Sequence, residues 1–205
     1  MSEPNSSSII IGITGGIACG KSEVGRILER MGFLICDADH VAHELMRKGS
    51  SVYSKIVECF GEQILSESGE IYRPAFGRLI FKDPVKREKL NLLVHPAVRN
   101  ALGDWIANAR KQRSSAAVMV PLLFESGMQD LDFNAVICVS SSIKDMERRM
   151  IDRGLTLREA RQRIDSQMPL TDKEQLADFI ILNNETLEDL ELTTRKTVEA
   201  IIGER

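Results

Sequence analysis

The chain has 205 residues, of which 43% are hydrophobic and 28% charged, and 27 Lys plus Arg against 30 Asp plus Glu give a formal net charge of -3. This composition is that of a globular protein, and it excludes a disordered or collagen-like chain and a disulfide-stapled miniprotein. The slight acidity argues against a protein that coats nucleic acid, because such proteins present a basic face. The length allows one α/β domain with insertions or two small domains.

No apolar run approaches the roughly 20 residues of a membrane-spanning helix. The polar, Ser-rich N-terminal residues lack the pattern of a secretory signal. We therefore expect a cytoplasmic protein that binds neither membranes nor nucleic acid and is a monomer or a weak homo-oligomer. The four cysteines form no C-x-x-C pair, so no structural metal site is predicted. We interpret them all as small buried hydrophobic residues: Cys19, Cys36, Cys59 and Cys138.

The first predicted elements form a strand, a loop, a helix and a second strand. Ile9–Ile13 is a short β-branched run, typical of a buried parallel strand that enters a loop. Apolar residues at helical spacing follow in residues 24–31, and Gly32 predicts the end of that helix. Phe33–Cys36 is the second apolar run. This order is the beginning of a right-handed βαβ unit.

The rest of the chain alternates further strands with helical or polar segments. Three strands are predicted over Ala116–Leu123, Ala135–Val139 and Phe179–Leu182. Alternation of strand and helix predicts a parallel sheet with helices on both faces. Two intervals depart from this alternation: residues 40–112 carry helical patterns without a convincing strand, and residues 147–168 are dense in arginine. We interpret both as insertions within one domain.

A phosphate-binding motif lies between the first predicted strand and helix. Residues 15–22 read GGIACGKS and match G-x-x-x-x-G-K-[ST]. In this motif glycines let backbone N–H groups converge on phosphate, and the helix N-terminus adds a positive dipole. Lys21 would reach the β- and γ-phosphates, and Ser22 would ligate Mg²⁺. The alternative is a plain glycine turn before a helix. The predicted ATP-binding residues are Gly15, Gly16, Ile17, Ala18, Cys19, Gly20, Lys21, Ser22 and Glu23.

Two further sets of charged residues favour a phosphotransferase. Asp37 and Asp39 end the second strand, so their carboxylates are expected at the carboxyl edge of the sheet. Capping of the next helix is the alternative for Asp39. Arg149 and Arg153 are four residues apart and are expected to share one helix face, from which both could offset charge on a transferring phosphoryl group. A solvated helix face is the alternative for either arginine.

Five blocks of sequence, in this order, resemble the dephospho-CoA kinase family. They are GITGGIACGKS from Gly12, CDADHVAH from Cys36, HP at His95, PLLFE from Pro121, and QMP followed by ADFIILNN. The resemblance covers nearly the whole chain. It implies phosphorylation of the ribose 3′-hydroxyl of dephospho-CoA by ATP with Mg²⁺, the last step of coenzyme A synthesis. It also implies an α/β P-loop NTPase fold with a five-stranded parallel sheet flanked by helices, a helical CoA-binding subdomain and a lid.

The resemblance also implies a division of the chain within a single domain of residues 1–205. The core would comprise residues of about 9–39, 114–146 and 177–205, the CoA-binding insertion about 40–112, and the lid about 147–170. The catalytic residues so implied are Lys21, Asp39, Arg149 and Arg153. Among them Asp39 is the base or orienting carboxylate for the 3′-hydroxyl.

Further residues are implied to bind the two substrates. His95 and Arg99 would join Asp39 in binding dephospho-CoA, although a His before Pro96 at a helix start is often only a cap. Asn183 or its neighbour in sequence closes the last predicted strand and would face the adenine. A kinase for another small nucleotide or nucleoside, and a nucleotide-sensing module without activity, are the alternative functions.

The phosphate loop departs from the family's usual G-S-G-K-S-T. Ala18 and Cys19 replace its first two residues, and Glu23 replaces the final threonine. The loop keeps its shape if Ala18 has an ordinary φ, and Glu23 is expected to point away from the phosphates. The strand before Pro121 carries no acidic residue, so Glu125 is the nearest carboxylate to act on Mg²⁺ through water.

Overall fold

The computed structural model describes residues 8–203, except the side chains of residues 81 and 82. The described residues divide into two compact units. The first, which we call the sheet unit, holds the described part of Met1–Asp37 together with Trp105–Arg205, and the second, the helical unit, is Ala38–Asp104.

Five parallel strands form the sheet, as predicted. They are β1 (Ile10–Gly15), β2 (Leu34–Asp37), β3 (Ala116–Met119), β4 (Ala135–Ser140) and β5 (Phe179–Leu182), in the order β2-β3-β1-β4-β5. Every residue of β1 and β4 is buried, which explains their continuous apolar sequence. Strand β3 is shorter than predicted, and Pro121, which has no N–H to donate to a neighbouring strand, lies just beyond it.

Nine α-helices occur in the described chain. They are α1 (Lys21–Arg30), α2 (Ala38–Leu45), α3 (Ser51–Phe60), α4 (Arg73–Lys82), α5 (Pro84–Lys111), α6 (Ile143–Ile151), α7 (Leu157–Asp165), α8 (Leu170–Leu176) and α9 (Leu187–Gly203). Helix α1 buries Val24, Ile27 and Leu28 in the core of the sheet unit. It ends at Arg30, and Gly32, the predicted stop, follows two residues later with a φ of +91° that suits glycine. None of the described helices is long and apolar enough to cross a bilayer.

The helical unit contains α2, α3, α4, a 3₁₀ turn over Glu62–Ile64 and the first part of α5. Ser50 caps α3 by accepting a hydrogen bond from the Tyr53 amide at 2.9 Å. The Phe60 and Phe76 rings pack edge to face, with centroids 5.2 Å apart. The core of this unit is therefore made by helix faces rather than by strands.

Cys19, Cys36 and Cys138 are buried as predicted, whereas the prediction for Cys59 is wrong. Cys59 is exposed because the buried stripe of α3 is formed by Val52, Ile56 and Phe60, and residue 59 lies off that stripe.

Candidate functional site

The loop between β1 and α1 has glycines where neighbouring atoms leave no room for a side chain. Gly15 has φ +140°, and a Cβ added there would lie 2.1 Å from the Val139 carbonyl oxygen. Gly20, the residue before α1, has φ +102°, and its Cβ would lie 2.2 Å from Nδ2 of Asn183. Both backbone conformation and space therefore require glycine at these positions. The loop ends at the N-terminus of α1, where the positive end of the helix dipole attracts anions.

Lys21 is the first residue of α1 and folds back over this loop. Its ammonium donates to the carbonyl oxygens of Gly15 at 3.0 Å and Gly16 at 2.7 Å. Ser22 follows and is exposed. As expected, Glu23 points along the helix, where its carboxylate forms an ion pair with Arg26. The cationic group and the hydroxyl of the motif thus stand together at the start of α1.

Ala18 does not have the ordinary φ that the sequence analysis required. Its φ is +58°, in the left-handed region, which costs a residue with a Cβ about 1–2 kcal/mol. The carbonyl oxygen of Ala18 accepts a hydrogen bond from Nη1 of Arg149 at 3.1 Å. Surrounding contacts of this kind are what allow a strained residue to persist in a loop. The loop keeps its shape through such outside contacts and not through an ordinary φ.

Arg149 and Asn183 both donate hydrogen bonds to backbone carbonyls of the phosphate loop. Besides Ala18, Arg149 donates to Ser141 Oγ at 3.2 Å and to the Asn183 carbonyl at 2.7 Å. The Asn183 side-chain amide in turn donates to the Cys19 carbonyl at 2.8 Å. Two predicted site residues from distant parts of the chain therefore meet at the loop, in contact with its backbone. Ser141 was not predicted, since a lone serine after a strand carries no distinctive signal.

The prediction that Arg149 and Arg153 share a helix face is wrong. Helix α6 ends at Ile151, and the chain then turns through Gly154, whose φ is +89°. The Arg153 amide donates to the Met150 carbonyl at 3.1 Å in this turn. A glycine in the left-handed conformation ends the helix two residues earlier than the arginine spacing required. Arg153 is exposed and Arg149 half-buried.

Cys19 fills the space beneath the loop as a neutral thiol. Its sulfur lies 3.2 Å from the Met146 sulfur, and the side chain is fully buried. Burial raises the pKa of this thiol, and the positive charge of Lys21 only partly opposes that effect. The replacement of the family's usual serine thus supplies packing rather than a reactive thiolate.

Glu125 lies in an ion pair, which argues against the predicted role on Mg²⁺. Its Oε1 lies 2.7 Å from Nζ of Lys173, and the same oxygen accepts from the Met168 amide at 3.1 Å. Lys173 is fully buried in α8. Sequence reasoning missed Lys173 because nothing in its neighbourhood distinguishes a buried lysine from the exposed ones.

The three predicted acceptor residues lie in the helical unit. Asp39 is the exposed second residue of α2, so it lies within the helix and not before it, where a cap would stand. His95 and Arg99 are one turn apart on α5. His95 and Pro96 stand inside this long helix, so the helix-start interpretation of His95 is wrong. Burial lowers the pKa of His95, which keeps its imidazole neutral at pH 7.

The helical unit also contains a cavity of about 300 Å³ with a mainly apolar lining and two arginines. The lining residues are Met46, Ile71, Arg73, Phe76, Gly77, Ile80, Arg87 and Leu90. A Cβ added at Gly77 would meet no atom within 4 Å, so this position can accept a larger side chain. The cavity falls within the size range of small-molecule pockets.

Comparison with known proteins identifies a family and a fold. The chain matches the family described as dephospho-CoA kinase over residues 9–189. A relative named dephospho-CoA kinase from Geobacillus kaustophilus is 40% identical over 197 residues, which are 95% of this chain and 96% of the relative. One from Bacillus anthracis is 38% identical over 196 residues, again 95% and 96%.

Solved structures show the same architecture. A dephospho-CoA kinase from Campylobacter jejuni matches with a TM-score of 0.70 at 28% identity, covering 96% of this chain and 98% of that one. A shikimate kinase from Acinetobacter baumannii, in complex with shikimate, matches with a TM-score of 0.57 at 15% identity, covering 98% of this chain and 96% of that one. The fold is therefore that of the P-loop kinases, as the phosphate-loop motif and the family resemblance implied.

Proposed function

The chain belongs to the dephospho-CoA kinase family, and we propose from this that it transfers the γ-phosphoryl group of ATP to the ribose 3′-hydroxyl of dephospho-CoA. The products are coenzyme A and ADP. The observation that carries the proposal is the phosphate loop, with its two glycines of positive φ and the Lys21 ammonium lying over it. Family membership supplies the acceptor.

Binding of ATP places the triphosphate on the loop backbone and on Lys21. In the structure the lysine ammonium donates to two loop carbonyls, and phosphate oxygens replace these acceptors when ATP binds. Charge-assisted hydrogen bonds to phosphate are stronger than those to neutral carbonyls. Phosphoryl transfer asks little covalent chemistry of the protein, so this positioning and charge stabilisation supply most of the rate.

Mg²⁺, when bound together with ATP, would neutralise charge on the β- and γ-phosphates. Mg²⁺ keeps several waters and takes one or two protein oxygens together with substrate phosphates. The exposed Ser22 hydroxyl, next to Lys21 at the start of α1, fits such a site. No group of three or more His, Cys, Asp or Glu that could hold a metal occurs among the residues the structure describes.

Asp39 accepts the proton of the acceptor hydroxyl. As the 3′-oxygen bonds to the γ-phosphorus, its proton passes to the Asp39 carboxylate, and the bond from that phosphorus to the bridging oxygen breaks to release ADP. Two observations support this role: Asp39 follows the carboxyl end of β2 by two residues, and its side chain is exposed. The neutral imidazole of His95 and the Arg99 guanidinium, one turn away on α5, then hydrogen-bond the acceptor.

The cavity of the helical unit receives the remainder of dephospho-CoA. That molecule carries a diphosphate followed by a pantetheine arm with a branched apolar segment. The guanidinium groups of Arg73 and Arg87 match the diphosphate in charge and geometry, and the apolar lining matches the arm. This complementarity supports assigning CoA binding to the insertion of residues 40–112.

The segment of residues 147–170 covers the phosphates during transfer. Arg153 is exposed in the turn after α6, which leaves it accessible to a phosphate. Arg149 acts from the other side of the loop, through the Ala18 carbonyl. Location in the cytoplasm and a monomeric or weakly associating state stay predictions.

Mass spectrometry of a reaction with Mg-ATP and dephospho-CoA tests the proposal. We expect a product heavier by one phosphate group, with one ADP per product. Lys21→Ala should lower kcat by about 100-fold or more, whereas Lys196→Ala, at an exposed position of α9, should not change it. Phosphorylation of another nucleoside in a substrate panel, or ATP binding without acceptor-stimulated ADP release, would contradict the proposal.

A further inference from the structure

Lys173 is the one buried charged side chain among those that the structure describes, which leave out residues 81 and 82, and it lies close to the phosphate loop. Its side chain is 0% exposed. A buried ammonium is strongly unfavourable unless it is paired and hydrogen-bonded. Here it is both, because Nζ lies 2.7 Å from Glu125 Oε1 and donates to the Pro121 carbonyl at 2.8 Å.

The partners of Lys173 are shared with residues at the end of β1 and before α8. The Pro121 carbonyl also accepts from the buried Thr14 hydroxyl at 3.3 Å, and Thr14 directly precedes Gly15. Glu125 Oε1 also accepts from the Met168 amide at 3.1 Å. One ammonium therefore links the end of β1, the segment after β3 and the approach to α8.

Helix α8 in turn contacts the phosphate loop and the neighbouring strands. A Cβ built on Gly16 would lie 3.5 Å from Cδ1 of Leu170, the first residue of α8. Glu174, which directly follows Lys173 in α8, accepts a hydrogen bond from Ser140 at the end of β4. A shift of α8 would therefore displace Gly16, whose carbonyl oxygen accepts a hydrogen bond from the Lys21 ammonium.

We propose that Lys173 is a positioning residue for phosphoryl transfer, which fixes α8 and the Pro121 segment against the phosphate loop through its bond to the Pro121 carbonyl. The inference rests on the proposed function, and it adds a residue that touches neither substrate. Its effect passes through Pro121 and Thr14 on one side and through Leu170 on the other. In this proposal the ion pair with Glu125 compensates the buried charge of Lys173. The hydrogen bond from Lys173 to the Pro121 carbonyl fixes the position of α8.

Two variants separate positioning from charge compensation. Lys173→Met leaves the Glu125 carboxylate without its partner and should lower Tm. The double variant Lys173→Met/Glu125→Gln removes both charges and should recover most of that Tm, because a buried pair can be replaced by neutral groups at little cost. The Pro121 bond stays missing in both, so kcat should stay about tenfold or more below wild type while KM for dephospho-CoA changes less than about twofold. Lys196→Met is the matched control at an exposed lysine.

Recovery of wild-type kcat together with Tm in the double variant would overturn the proposal. If the double variant does not fold, Glu125→Gln alone decides between positioning and charge compensation, because it keeps the hydrogen bond from Lys173 to the Pro121 carbonyl. Positioning predicts that Glu125→Gln retains kcat within about threefold of wild type even with a lowered Tm. A loss of about tenfold in this variant would overturn the proposal, because the ion pair would then control the rate. Wild-type turnover of dephospho-CoA, measured alongside, tests the proposed function independently of Lys173.

Discussion

The sheet unit and the helical unit carry their candidate functional residues in different ways. In the sheet unit the phosphate loop is one contiguous segment, and backbone conformation and neighbouring carbonyls fix it, as at Gly15 and Ala18. In the helical unit the candidates are side chains spread over several helices, such as Asp39 on α2 and His95 on α5. The proposed function therefore assigns nucleotide binding to backbone geometry and acceptor recognition to separate side chains.

This difference predicts different responses to substitution. Exposed side chains of the helical unit can be changed with little effect on folding, because surface positions usually contribute little to stability. Changes within the sheet unit alter the loop or the buried core and should appear in stability as well as in rate. The substitutions below test whether the two units respond differently in this way.

Replacing the proposed base should give the largest effect. Asp39→Asn keeps the shape of the side chain but removes the proton acceptor, so kcat should fall by about 100-fold to 10,000-fold. KM for ATP should change by less than about twofold, because the proposed ATP site lies in the sheet unit. Steady-state kinetics with dephospho-CoA measures both. The control is Glu44→Gln, at an exposed carboxylate of the same helix. Equal losses in kcat and in ATP affinity would remove Asp39 from the chemical step.

Filling the cavity should affect the acceptor alone. Gly77→Leu places a side chain in open space within a helix, so the free energy of unfolding should not fall. The added atoms take up room in the cavity, and kcat/KM for dephospho-CoA should fall by about 10-fold to 100-fold. KM for ATP should stay the same. Gly203→Leu, at another helical glycine whose Cβ meets no atom within 4 Å, is the control. Unchanged kinetics in Gly77→Leu would exclude this cavity as the binding site.

Relieving the strain at Ala18 should change stability in the opposite direction from an ordinary Ala-to-Gly substitution. Ala18→Gly removes the Cβ from a residue with φ +58°, and the free energy of unfolding should rise by about 0.5–1 kcal/mol. Ala200→Gly, in the exposed part of α9, should lower it by about 1 kcal/mol. Urea unfolding measures both. A loss of stability in Ala18→Gly would show that the left-handed conformation carries no strain.

The smallest expected effect is on the reactivity of the cysteine thiols, which differ in exposure between the two units. Burial raises the pKa of Cys36 to about 11 and that of Cys138 to about 12, and it also raises the pKa of Cys19. These three thiols of the sheet unit are therefore protonated and covered at pH 8. A thiol reagent should modify Cys59 rapidly, as the exposed cysteine of the helical unit, and Cys59→Ser should abolish the rapid phase. Rapid modification of Cys19 would mean that the loop opens readily.

The sequence predicted the strands and the loop well because their signals are local. The glycines at 15 and 20, the apolar run of β1 and the helical spacing of α1 are all read over short distances. It predicted less well what depends on the exact end of a helix or on distant contacts. Gly154 ends α6 before Arg153. The burial of Lys173 depends on the Pro121 carbonyl, 52 positions earlier in the chain.

The position of the phosphate in the product is the most direct test of the central claim, that the loop delivers a phosphoryl group to the ribose of the acceptor. Phosphorus NMR of the product made from ATP and dephospho-CoA reports it. We predict a new phosphomonoester resonance that couples to the ribose 3′-proton and that is absent when Lys21→Ala replaces the wild type. Inorganic phosphate alone, or a phosphoryl group on another hydroxyl of the acceptor, would contradict the account.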